Sequence, residues 1–165
     1  MYDIILRDGR VMDGTGAPWY RADVGIAGRR IAAIGRRLAG EAAREIDARD
    51  LVVAPGLVDM HSHSDVTLLV NPRAESAVRQ GITTQIVGHC GFSAAPVRLQ
   101  DVERFRQDSF VFSFEGYEWT WVDIAGYRRA LERARPAINV ATLVGHGALR
   151  FYAMGQANRA PTPQE

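Results

Sequence analysis

The chain contains no lysine: all 20 of its basic residues are arginine, set against 19 acidic residues for a formal net charge of +1. Such a near-neutral balance excludes the strongly basic surface that nucleic-acid binding requires. Cysteine is nearly as scarce. Cys90 is the only one, so no intrachain disulfide can form, which fits a reducing compartment and leaves the thiol free for other chemistry. No apolar run approaches the roughly 20 residues needed to cross a bilayer. The opening Met1-Tyr2-Asp3-Ile4-Ile5-Leu6-Arg7 has an acid where an export signal carries positive charge. A cytoplasmic protein with neither nucleic-acid nor membrane partners is expected. Disorder is also excluded, because 47% of the 165 residues are hydrophobic and only 24% charged.

What is present falls into two parts, with expected domains at 1–53 and 54–165. The first alternates apolar residues with glycine-bearing turns. Short strands are expected at Tyr2–Arg7 and Arg10–Asp13 about a turn at Asp8-Gly9, then at Ala22–Ala27 and Arg30–Ile34 about Gly28-Arg29, as antiparallel hairpins. From Leu51 onward, strand-like runs near 57–62, 83–88 and 138–144 are separated by longer helix-compatible stretches, the pattern of βα units on a parallel sheet. Pro72–Gln80 and Val102–Gln107 are expected as short helices. Val122–Arg135 carries the strongest helical periodicity, in Ile124, Tyr127, Leu131 and Ala134, and Pro136 ends it. Six aromatic residues between Phe110 and Trp121 either pack beneath a loop or wall a substrate pocket.

The densest chemistry lies in Pro55-Gly56-Leu57-Val58-Asp59-Met60-His61-Ser62-His63. On a strand, residues i and i+2 share a face, so Asp59, His61 and His63 project together and two imidazoles can converge on one ion. A His-x-His pair alone is also compatible with two polar loop residues. The rigid Pro-Gly turn and the apolar strand before it set this pair at a strand C-terminus, where parallel-sheet enzymes collect their functional groups.

These residues resemble the amidohydrolase superfamily, whose members begin with a small β-sandwich followed by a Pro-Gly turn and an Asp-x-His-x-His strand. Gly81–Ser93, with His89-Cys90-Gly91 at its end, is similar to the second strand region of the D-aminoacylase, or N-acyl-D-amino-acid deacylase, branch. Asn139–Arg150, with Gly145-His146-Gly147, resembles the next strand and its turn. The fold implied is α/β: a small N-terminal β-sandwich part, then the first strands and helices of an incomplete (β/α)8 TIM-type barrel. About 110 residues follow the β module, whereas such a barrel typically takes about 250.

The resemblance implies metal ligands His61, His63 and Cys90, and one or two Zn2+ ions in the complete enzyme. Thiolate is a strong zinc ligand, although a lone cysteine can also be a small buried hydrophobe. Hydantoinase- and dihydroorotase-like relatives bridge two metals with a carboxylated lysine, which no residue here could supply. His89 departs from the asparagine commoner in the branch, and is weighed as a ligand-supporting or simple loop residue. His146 could face the pocket or serve a structural turn. Arg150 could bind a substrate carboxylate or form a structural ion pair. Asp59 completes the substrate or supporting set.

The implied reaction is hydrolysis of the amide of a small-molecule N-acyl-D-amino acid to a carboxylate and a D-amino acid. No catalytic base is present; the family's general-base aspartate is expected beyond Glu165, as are further histidines. Thr162-Pro163-Gln164-Glu165 reads as a capping box opening a helix, so a truncation is expected, with the fragment alone inactive and the remainder of the barrel supplied in cis or by another chain. The alternatives are a non-catalytic or complementing metal-binding fragment, or another linear or cyclic amide hydrolase of the superfamily.

Overall fold

The computed structural model describes residues 1–165 as a mixed α/β chain in two compact units, Met1–Pro55 and Gly56–Glu165. The first holds β1 (Tyr2–Val11), β2 (Tyr20–Ala27), β3 (Arg30–Gly35), β4 (Ala42–Asp47) and β5 (Val52–Val53). They form a single sheet in the order β3-β2-β1-β4, with β5 also pairing with β1. β1 runs antiparallel to β2 and parallel to both β4 and β5.

One expectation is corrected here. Asp8-Gly9 is not a turn: β1 passes straight through it, with an irregularity between Leu6 and Gly9. The cause is local, since Asp8 takes a left-handed φ of +56° and its N–H donates to the Asp23 carboxylate at 2.8 Å. Of the expected β-sandwich portion these residues form one sheet. It packs Val11, Ala22 and Val24 against Leu6 and Val53, while Ile31 and Ile34 of β3 stay exposed. Finally, β4, unforeseen in the charged run Ala42-Ala43-Arg44-Glu45-Ile46-Asp47, docks in parallel on β1.

The second unit is built on a three-stranded parallel sheet of β6 (Leu57–Asp59), β7 (Ile82–Val87) and β8 (Asn139–Thr142), with β7 central. Its helices are α1 (Thr67–Val70), α2 (Glu75–Val78), α3 (Val102–Gln107), α4 (Ile124–Ala134) and α5 (His146–Met154). The short helix expected at 72–80 is present as the single turn α2, whereas α1 and α5 were unforeseen. α4 agrees with its periodicity: Asp123 caps it by accepting from Gly126 N at 2.7 Å, and Arg135 closes it in a left-handed conformation.

Most of the aromatic run is core. Trp119 and Trp121 stack at 4.7 Å, Phe112 stacks on Phe105 at 5.0 Å, and the Trp121 indole donates to Ala94 O at 2.7 Å. Phe110 and Phe114 remain exposed. Tyr127 of α4 is fully buried and donates its hydroxyl to Asp65 O at 2.6 Å, tying that helix to the segment after β6. The capping box at Thr162 forms only a turn, with Thr162 N donating to the Glu165 carboxylate at 2.8 Å.

Candidate metal centre

β6 ends at Asp59, three residues earlier than the expected strand, so His61 and His63 sit on the segment that leaves it. Ser62 N donates to Ile86 O at 3.0 Å and keeps that segment against β7. Asp59 steadies it from the other side. Its carboxylate accepts from His61 N at 3.2 Å and from the side chain of buried Gln85 at 3.3 Å.

Cys90 lies just beyond β7. Its φ of +55°, between Gly88 at +84° and Gly91 at +83°, turns the chain sharply so that the thiol faces back toward the histidines. His61 Nε2 stands 3.2 Å from Cys90 Sγ. One ligand atom from each of His61, His63 and Cys90 lies within 4.8 Å of the other two. A tetrahedral zinc ion with its usual bond lengths holds such donors roughly 3.3–3.6 Å apart, so modest side-chain rotation brings this trio to one ion.

The neighbouring groups are also poised. His63 Nδ1 and His89 Nε2 are buried without hydrogen-bond partners. The His89 ring stacks on His61 at 4.2 Å with 21° between the planes, which restrains the His61 imidazole. His89 thus touches the trio without joining it.

His146 is exposed on the first turn of α5 and is not among the convergent ligand atoms. Its flanking glycines have a clear role. Gly145 N donates to Ser93 Oγ at 3.0 Å and Ala148 N to Gly91 O at 3.1 Å. A Cβ at Gly145 or Gly147 would fall 2.3 Å or 2.8 Å from Gly91 O. Glycine at both positions lets the α5 start seat directly on the Cys90 loop. Arg150 spends its guanidinium structurally, donating to Ala157 O at 2.6 Å and Arg159 O at 3.3 Å, which accounts for it without a substrate.

Three further residues escaped the sequence reading. Asp65 is 1% exposed, and neither carboxylate oxygen has a hydrogen-bond partner. Burial raises its pKa to about 6; the N–H groups of Gly88, Ala94 and Asp65 itself face it and lower it in part, without reaching hydrogen-bonding geometry. The alternation His61-x-His63-x-Asp65 was the available signal. Gln85 was marked only as an amide within an apolar strand, and Ser93 by nothing distinctive.

The sequence pattern of the amidohydrolase family matches residues 44–165. The chain belongs to that family. Among its relatives, this amidohydrolase chain is 43% identical to the N-acyl-D-glutamate deacylase of Alcaligenes xylosoxydans xylosoxydans, over 99% of the chain and 32% of the relative. It is 37% identical to the D-aminoacylase of the same organism, over 99% of the chain and 33% of the relative. The crystal structure of N-acyl-D-glutamate deacylase from Bordetella bronchiseptica, complexed with zinc and a phosphonate mimic of the tetrahedral intermediate, superposes with a TM-score of 0.84. That comparison has 39% identity and covers 99% of this chain and 33% of that one. The chain therefore spans about a third of the length of the relatives it matches.

Proposed function

We propose that the full-length protein is a zinc-dependent amidohydrolase that cleaves the amide of N-acyl-D-amino acids, and that His61, His63 and Cys90 are ligands of its metal. The observation that carries this reading is the convergence of the three ligand atoms within 4.8 Å. The donor set suits the ion, since two imidazoles and a thiolate are ordinary zinc ligands. The buried His63 Nδ1 has no hydrogen-bond partner within the chain, which supports a partner supplied when the site is assembled.

A bound zinc ion supplies an activated water and polarises the scissile carbonyl. The chain's own residues do the holding. Asp59 grips His61 through its backbone N–H, the His89 ring limits rotation of the His61 ring, and the glycine-flanked Cys90 turn presents the thiol. We read 1–53 as part of a β-sandwich and 54–165 as the first βα units of a (β/α)8 barrel, whose later strands carry the general-base aspartate and further ligands. Exposed Leu57, Val58 and Met60 at β6 support this, being apolar groups that later elements would cover. The N-acyl-D-amino-acid relatives support the substrate class.

The test is release of free D-amino acid from a panel of N-acyl-D- and N-acyl-L-amino acids by the full-length protein. Expected are turnover of D-substrates, its loss on chelation and its return with zinc. Turnover that survives complete metal removal, or a preference for cyclic amides, would overturn the assignment.

A further inference from the structure

The turn that presents Cys90 is not one that a cysteine adopts readily. Phe92 N donates to His89 O at 2.8 Å across Cys90 and Gly91, whose φ values are both positive. This is the pattern of a type I′ turn, whose central positions favour glycine, asparagine and aspartate. At any other residue it persists only where the surrounding structure fixes it. The turn also carries the His89 ring that stacks on His61, so its placement sets both that stack and the approach of Cys90 Sγ to His61 Nε2.

What fixes the turn is the start of α5. That helix has no side-chain cap of its own. Instead the N–H of Ala148, in its first turn, donates to Gly91 O at 3.1 Å, and Gly145 N donates to Ser93 Oγ at 3.0 Å. The Cys90 turn therefore caps the helix, and the helix holds the turn. Ser93 is the one side chain in this pair of bonds. It is fully buried and also donates to Ala95 O, so its hydroxyl serves as donor and acceptor at once. Resting on the metal reading above, we propose that Ser93 is a positioning residue of the centre, its hydroxyl clamping the α5 start to the Cys90 turn so that the thiol is preset for the ion. Ion and clamp are then coupled in both directions: each favours the other.

The experiment measures zinc affinity of the full-length parent, Ser93→Ala and Val24→Ala by competition with a chromophoric chelator, with the metal-free Tm alongside. Val24 lies in the core of the first unit and reports what general destabilisation does. Ser93→Ala is expected to bind zinc at least about 10-fold more weakly, and Val24→Ala to lower the Tm while keeping the parent's affinity. Ser93→Ala at the parent's affinity would overturn the proposal, and so would an equal loss of affinity in Val24→Ala. Amide hydrogen exchange of the parent tests the same clamp without any variant. Zinc is expected to slow exchange at Gly145 and Ala148, and rates that zinc leaves unchanged there would contradict the coupling. A parent that binds no zinc removes the metal reading and the clamp with it, whereas tight binding by the parent and Ser93→Ala alike removes only the role of Ser93.

Discussion

Cys90 holds a backbone conformation that costs an L-residue about 1–2 kcal/mol, and it does so at the point where a thiol meets two imidazoles. The same loop is pinned from the other side by Gly145, whose added Cβ would stand 2.3 Å from Gly91 O and 2.5 Å from Gly91 C, both backbone atoms that cannot simply rotate away. Gly145→Ala is therefore expected to destabilise the protein by about 1–3 kcal/mol, measured as a lowered urea midpoint. A midpoint at the parent value would mean that the α5 start is not seated on the Cys90 loop. The histidines were legible at this scale because a two-residue alternation is visible in any strand-like segment. Asp65 was not, because burial depends on Tyr127 and on the loop of Gly88 to Ala94, neither of which is near it in sequence.

Among the elements, β1 gains its continuity from Asp23. That buried carboxylate accepts from Asp8 N at 2.8 Å, Leu38 N at 3.0 Å and the Arg7 guanidinium at 2.8 Å. Burial pushes its pKa upward, but the donors from Asp8, Arg7 and Leu38 outweigh burial and hold it below the ordinary aspartate value. The folded state thus favours the carboxylate. Its contribution is fully present above the unfolded value of about 3.9 and is lost as the pH falls through the lower folded value. Urea midpoints of the parent are expected to drop on acidification below about pH 4, and Asp23→Asn to start lower and fall less steeply; parallel curves would contradict this role. The same network explains why Asp8-Gly9 misled: the dipeptide is a turn signal locally, and only a residue 15 positions away keeps the strand running. β2, β3 and α4 were legible because their turns, periodicity and caps are local. β4 has too polar a sequence to announce a strand, and α5 begins within a glycine-flanked histidine that reads as a turn.

At the scale of the whole chain, parallel pairing of β6, β7 and β8 brings three strand exits to one edge of the sheet, and with them His61 and His63, Cys90, and His146. That arrangement follows from topology, and the βα rhythm of the sequence made it legible before any contact was known. What could not be read was the single sheet of the first unit, because stacking of sheets depends on partners that strand patterns do not name. The measurement closest to the central claim is the electronic spectrum of the cobalt(II)-loaded full-length protein. A thiolate-to-cobalt charge-transfer band is expected in the parent, retained in His146→Ala and abolished in Cys90→Ser. A parent that binds cobalt without that band, or a Cys90→Ser protein that keeps it, would contradict the assignment of Cys90 beside His61 and His63.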